Sequence, residues 1–419
     1  MSGVTKGSSG FAAANPPPLR VVAAALRKTT EHLAAEIRTP GVHAPPWSEL
    51  EWTIARAAAA MQGISALLAG RLRWRGPGRW SDFLQEQRDQ TLARERLADQ
   101  ILARIDASTR ARGIGVVVLK GAALRRRSLY ADGERPMGDI DLLTHPRDGH
   151  AVACALATLE YRESADFERH KVYITGALGT PAGIGESIDN SFPIEVHPAI
   201  FEPLPVTQVD ITARILPAVL ARGLNDYPSP AALMSHLLLH AAGNMRANAL
   251  RFIQLQDLAL LGRSLGAADW HELCGPAPWW ALPPLLLAER YLGDFVPRDR
   301  RRALESACPW WLRSVVHRRT LTDLSWSNLR IAALPGVEWS RTPLEALRYA
   351  RSRIRPSHAA LGKLRDALVL QPHLERIPWY GLPHSARILR WLFTRPPRVQ
   401  SWYSVLGALD AGPAGPEST

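Results

Sequence analysis

Cysteine is scarce. Cys154, Cys274 and Cys308 are the only three in 419 residues, and no two stand at metal-binding spacing. A disulfide framework and a cysteine-based structural zinc site are therefore not expected. No run of 18 apolar residues occurs, so no membrane-spanning helix is expected either. Residues 1–19 are rich in Gly, Ser, Ala and Pro without a signal-peptide apolar stretch; they read as a disordered leader, and the expected location is cytoplasmic. The Gly-rich stretch 176–185 lacks phosphate-loop spacing and reads as a hairpin connection. Acidic residues are in deficit, 39 against 51 Lys and Arg; the net charge of +12 and pI near 10.1 favour anionic partners. Much of the excess is local, since residues 345–404 carry 11 Lys and Arg against 3 Asp and Glu. That stretch suits peripheral contact with an acidic surface, and equally a solvated basic face.

What the chain does have is globular composition, 46% hydrophobic and 21% charged, over a length that exceeds one core. The most informative stretch is residues 135–143, Arg-Pro-Met-Gly-Asp-Ile-Asp-Leu-Leu. Two carboxylates alternate with apolar residues after a Pro/Gly turn, which reads as the start of a strand. Side chains two apart on a strand share a face at roughly 6.5–7 Å. Asp139 and Asp141 thus face one way, Ile140 and Leu142 the other. Paired carboxylates resist joint ionisation, and a divalent cation with hard oxygen ligands resolves the conflict.

Around this stretch the pattern is consistent. Residues 21–112 are Ala- and Leu-rich with helical spacing, broken near Pro40, Pro45 and Pro77, and read as about three helices. Residues 113–119 form a short β-branched strand, followed by Lys120-Gly121 and a helix. A strand, a Lys-Gly turn and a helix start suit a phosphate, with Gly121 allowing close approach. Residues 146–161 read as a helix and 167–175 as a strand. In residues 192–197 (Phe-Pro-Ile-Glu-Val-His) Ile194 and Val196 alternate with Glu195 and His197, placing a third carboxylate on a second strand. Two-metal phosphoryl-transfer sites typically use three acidic side chains, which makes Glu195 the candidate third ligand; His197 lines the same face or is structural. Ser229 and Pro230 open a helix as N-cap and first residue. His236 and His240 on that helix have zinc-helix spacing but lack the intervening Glu and a third ligand. Core packing, or one histidine reaching a nucleotide, is the preferred reading. Asp257 is expected to pair with Arg251, Arg263 or a helix end. Arg135 either orients a phosphate or pairs with Asp132 or Glu134. Residues 385–393 form an amphipathic basic helix suited to an acidic membrane, a partner or ordinary packing.

The order strand, Lys120-Gly121, helix, Arg135-x-Met137-x-Asp139-Ile-Asp141-Leu-Leu, helix, Ile194-Glu-Val-His197 resembles the nucleotidyltransferase superfamily typified by DNA polymerase beta. More closely it resembles a poorly characterised bacterial family of natural-product and polysaccharide gene clusters. The helix at Leu237–His240, Asp257 and Asp269-Trp270 extend the resemblance over roughly residues 85–295. The resemblance implies an α+β fold: a small mixed sheet flanked by N-terminal and C-terminal helical regions. The expected division is leader 1–19, helical region 20–112, catalytic α/β core 113–205, helical domain 206–342 and basic helical region with tail 343–419. By resemblance Asp139, Asp141 and Glu195 hold Mg²⁺ or Mn²⁺, and Lys120-Gly121 meets the triphosphate. Arg135, His197 and His240 complete the expected nucleotide-binding set. The Lys-Gly pair replaces the superfamily's usual Gly-Ser, Glu195 replaces the commoner Asp, and Pro198 stands where an aromatic is frequent.

The implied activity is metal-dependent transfer of a nucleoside monophosphate from a triphosphate to a hydroxyl or phosphate acceptor, releasing pyrophosphate. Nothing legible chooses among ATP, CTP, GTP and UTP, or among a small molecule, a peptide and a nucleic acid as acceptor. Two other readings fit less well. A glycosyltransferase with an Asp-x-Asp metal site wants more alternating strands and helices before that motif. A non-catalytic nucleotide-binding or scaffold protein leaves the acidic cluster, costly without metal, unexplained.

Overall fold

The computed structural model describes residues 16–167, 169–176, 184–275, 277–357 and 382–410. Six strands form a mixed sheet: β1 Gly115–Val118, β2 Ile140–Leu143, β3 Arg162–Asp166, β4 Lys171–Ile174, β5 Ile194–His197 and β8 Gly223–Asn225, in the order β3-β4-β5-β2-β1-β8. The short strands β6 Phe201–Pro203 and β7 Gln208–Asp210 pair as a separate antiparallel hairpin. β2 runs parallel to β5 and antiparallel to β1, while β8 pairs in parallel with β1. The sheet thus continues past residue 205, where the sequence suggested the α/β core would end. The expected strand over 167–175 splits: Phe167 and His170 frame the turn between β3 and β4. Most of the expected 176–185 connection lies outside the described residues.

Alternation along the central strands divides the apolar side chains between two cores. Val116, Val118, Ile140, Leu142, Ile194 and Val196 face the long helix Gly78–Ala111 through Ala98, Ile101, Leu102 and Ile105. Val117, Leu119 and Leu143 face the opposite way, into a larger core. Each such side chain contributes roughly 1.5–3 kcal/mol when fully buried. The larger core joins the helices Leu19–Arg38, Glu49–Gln62 and Ser65–Arg71 to those that follow the sheet, Pro230–Arg246, Phe252–Ser264 and Leu282–Leu292. The N-terminal helices and the later ones therefore close around shared apolar contacts. Polar pairs reinforce the seam: Gln62 Nε2 donates to Ser325 and Ser327, and Phe252 N donates to Gln62 Oε1.

The local signals that start helices behave as their chemistry requires. Ser229 Oγ accepts from Ala232 N at 3.0 Å ahead of Pro230, and Ser48 and Glu51 form a reciprocal capping box. Among the described residues the N-terminal region holds four helices where the pattern suggested about three; Gly63 in the left-handed conformation ends one before Ser65–Arg71 begins. No helix among the described residues is long and apolar enough to cross a membrane. Of the basic region 345–404, residues 358–381 lie outside the described residues. The helix His384–Thr394 buries none of its residues and exposes Leu389, Leu392 and Phe393.

Candidate active site

Register explains why three carboxylates meet. Asp141 on β2 stands directly opposite Glu195 on β5, and Leu143 opposite His197. Asp139 lies two residues before Asp141 and therefore on the same face. Ligand oxygens of Asp139, Asp141 and Glu195 all lie within 4.8 Å of one another. Like charges opposed across a sheet are destabilising, so such an arrangement needs cations. The face is not open to solvent as a simple acidic surface: Leu143 continues it into the core, and the helix Pro230–Arg246 covers it with His236 and His240.

Lys120 supplies one cation. Leu119 N donates to Asp141 O at 2.9 Å, which locks β1 against β2 up to the strand end. Lys120 follows with φ of +43°, a left-handed conformation unusual for a side-chain-bearing residue. Its ammonium donates to Asp141 Oδ1 at 2.7 Å. The structure thus places Lys120 inside the carboxylate cluster as well as at the helix start. His197 Nε2 lies 2.9 Å from the same Oδ1 and 3.6 Å from Glu195 Oε2.

The two aspartates end up in different electrostatic states. Burial opposes ionising Asp141, but the Lys120 ammonium and the His197 hydrogen bond outweigh it and hold the carboxyl well below its usual range. Asp139 is half-buried and accepts no hydrogen bond from any described residue. Burial, then Asp141, then Glu195 push it up to about 7. Burial opposes protonation of His197, yet the hydrogen bond to Asp141 and the nearby Glu195 carboxylate raise its pKa. His170 and His240 go the other way: burial pushes them down to about 4 and about 3.

Lys120, Asp139, Glu195 and His197 open onto a cavity of about 240 Å³, further lined by Arg169, His170, Glu202, His236 and His240. A second cavity of about 320 Å³ shares Arg169, His170, Phe201 and Glu202 with it and adds Phe167 and Arg246. Arg169 pairs with Glu202, and Arg246 Nε is buried with no hydrogen-bond partner among the described residues. His240 lines the cavity with its Nε2 3.1 Å from Asn244. His236 does not face it freely, because Tyr227 OH lies 2.6 Å from its Nδ1 and also accepts from Lys120 N.

Arg135 and Gly121 behave differently from the sequence expectation. Arg135 pairs with neither Asp132 nor Glu134; it grips Asp257 through Nε at 2.9 Å and Nη2 at 2.8 Å. Tyr130 OH donates to the same carboxylate at 2.7 Å. Asp257 therefore meets Arg135, not Arg251 or Arg263. A Cβ at Gly121 would stand 2.5 Å from Arg135 Nη1, so the space the glycine leaves is taken by that guanidinium.

Several supporting residues carry no local signal in the sequence. Arg94, buried on the long helix, donates to Met137 O and Gly138 O just before Asp139 and to Ser187 O and Asn190 O, and pairs with Glu186 at 3.0 Å. It fixes the turn that delivers the first aspartate. His170 reaches the site because Val172 opposes Glu195 in antiparallel pairing, which sets His170 beside His197. Their ring centroids are 4.9 Å apart.

The donor set of three carboxylates fits a hard divalent cation that keeps positions for substrate oxygens. Comparison with known proteins bears on the same stretch. A family described as "Uncharacterised nucleotidyltransferase" matches residues 48–280, more than half of the chain, including the eight strands of the described residues. No curated protein matches. Among solved structures, the solution structure of the antibiotic-resistance factor ANT(2'')-Ia is similar at 17% identity and a TM-score of 0.29, covering 50% of this chain and 95% of that one. With the match to its family spanning the sheet, its carboxylates and the covering helix, the chain belongs to this uncharacterised nucleotidyltransferase family and is a nucleotidyltransferase acting on a nucleotide substrate.

Proposed function

We propose that the protein moves a nucleoside monophosphate from a nucleoside triphosphate to a hydroxyl or phosphate acceptor and releases pyrophosphate, with Mg²⁺ or Mn²⁺ held by Asp139, Asp141 and Glu195. The observation that carries this reading is the convergence of those carboxylates within 4.8 Å at the wall of a cavity that also presents Lys120 and Arg169. An ion bound there supplies positive charge at the phosphate oxygens and favours the ionised form of the attacking hydroxyl.

The chain's own groups divide the remaining work. The acceptor oxygen attacks the α-phosphorus, the bond to the bridging oxygen breaks, and pyrophosphate leaves. Lys120, held at the cluster by Asp141, offsets charge on the phosphates as they enter. Asp141 is a poor proton acceptor, because the Lys120 ammonium and the His197 hydrogen bond already stabilise its ionised form. Glu195 is more exposed and lines the cavity, so it takes the acceptor's proton. Arg169, Arg246 and His240 form the wall along which the triphosphate and acceptor lie. The two adjoining cavities together provide volume of the order small-molecule sites use, several hundred Å³. The Arg135 guanidinium is committed to Asp257 and acts by positioning the turn before Asp139.

The test uses each of four triphosphates labelled at the α-phosphate, Mg²⁺ or Mn²⁺, and cell extract as acceptor source. Label should move to an extract component with pyrophosphate release for the wild type and not for Asp139→Asn or Asp141→Asn. Equal transfer by wild type and both variants would overturn the reading.

A further inference from the structure

The carboxylates are not the sole set of ligand atoms that converge. His170 Nε2 lies 3.5 Å from Glu195 Oε2, and His197 Nε2 lies 3.6 Å from the same oxygen. The three ligand atoms are mutually within 4.8 Å. For metal–ligand bonds of about 2.0–2.1 Å, tetrahedral donors stand roughly 3.3–3.4 Å apart, so the two shorter separations need little adjustment. The spacing follows from the sheet: Val172 opposes Glu195, and stepping two residues along each antiparallel strand brings His170 beside His197. All three residues line the 240 Å³ cavity, so an ion held there keeps an open position towards substrate.

We propose that His170, Glu195 and His197 form a second metal site, sharing Glu195 with the carboxylate triad, that takes a borderline first-row transition ion in preference to Mg²⁺. Two imidazoles and one carboxylate are a donor set that three-ligand catalytic zinc sites use. Imidazole suits Zn²⁺ and its first-row neighbours, whereas Mg²⁺ demands oxygen. The triad offers oxygen alone, so the two halves of one cluster differ in the metal they select. Loading the second half replaces the 2.9 Å contact between His197 Nε2 and Asp141 Oδ1 with a metal–nitrogen bond and leaves Asp141 to Lys120. This inference concerns metal binding and does not depend on nucleotidyl transfer.

The experiment takes the full-length, metal-stripped protein, adds one equivalent of Cu²⁺, a paramagnetic ion that imidazole suits, in excess Mg²⁺, and records nitrogen couplings by pulsed electron paramagnetic resonance. Imidazole couplings should appear and survive the Mg²⁺. His170→Gln, in the turn before β4, should remove one of them and weaken Cu²⁺ binding by more than about tenfold, since losing even an outer-shell partner of a metal ligand costs about 10–100-fold. Asp139→Asn should leave the couplings in place. Bound Cu²⁺ without nitrogen couplings, complete displacement by Mg²⁺, or couplings unchanged in His170→Gln would each overturn the proposal. His197→Asn is the second variant, with circular dichroism confirming that both are folded. Loss of triphosphate binding in Asp139→Asn, measured separately, reports on the nucleotidyl site alone.

Discussion

Residues 135–143 feed two buried charge clusters that are built to opposite rules. At one end, Arg135 meets Asp257 in a two-pronged pair, Tyr130 adds a hydroxyl, and every charge has its partner. At the other end, Asp139, Asp141 and Glu195 crowd together, and Lys120 and His197 both make their hydrogen bonds in the cluster to Asp141. Asp139 is left to be pushed up to about 7. The closed cluster is complete as folded and belongs to the architecture. The open one carries surplus negative charge facing a cavity, the state expected where a cation and a polyanionic substrate are to enter. Only three residues separate Arg135 from Asp139, so the difference lies in the partners brought by the rest of the fold.

Breaking the closed cluster should produce the largest loss of stability. Arg135→Met leaves Asp257 and Tyr130 buried without their cation, and should cost about 3–5 kcal/mol, read as a lower midpoint in denaturant unfolding. The open cluster should respond in the reverse sense. Asp139→Asn and Asp141→Asn should lower the rate of label transfer by at least about 10²–10³-fold, while Asp139→Asn unfolds no earlier than the wild type. A drop in stability for Asp139→Asn comparable to that of Arg135→Met would erase the distinction.

The pH dependence sharpens the contrast. The folded-state pKa of Asp139, about 7, lies above the ordinary carboxylate value of 3.8. Its contribution to stability is therefore fully present below about pH 4 and is lost as pH rises towards 7, because the native state binds the proton the unfolded state has released. Metal-free wild type should lose stability over that window by at most about 1.4 kcal/mol per pH unit, and Asp139→Asn should flatten the slope in equilibrium unfolding measured at successive pH values. Smaller still is Gly121→Ala. The added methyl displaces the Arg135 guanidinium from its seat beside the glycine, at a cost of about 1–3 kcal/mol, with the fall in melting temperature absent when Arg135 is already Met.

The legible part of this molecule was local. Alternation at Asp139, Ile140 and Asp141, and again at Ile194 to His197, marked both strands and their shared polar face; Ser229 and Pro230 marked a helix start. The family match over residues 48–280 agrees with the resemblance those motifs carried. What local spacing does not encode is which elements become neighbours. Arg135 pairs with Asp257, 122 residues away, in preference to acids one and three residues from it. β8, a three-residue strand without an apolar run, is recognisable only from its pairing with β1. His170 sat in what looked like an ordinary strand, and only the antiparallel register with β5 turns it towards His197. Arg94, on a helix rich in charged residues, is distinguished from its solvated neighbours by carbonyls from two distant segments, residues 137–138 and 187–190.

The most direct test of the open cluster needs no acceptor. Equilibrium unfolding of wild type and Asp139→Asn would be followed at pH 8, with and without Mg²⁺ and a non-hydrolysable nucleoside triphosphate. The account predicts that Mg²⁺ with the nucleotide stabilises the wild type in a concentration-dependent manner, and that Asp139→Asn, already relieved of its surplus charge, gains little. Equal stabilisation of both proteins, or none of either, would contradict the assignment of this cluster as the metal-nucleotide site.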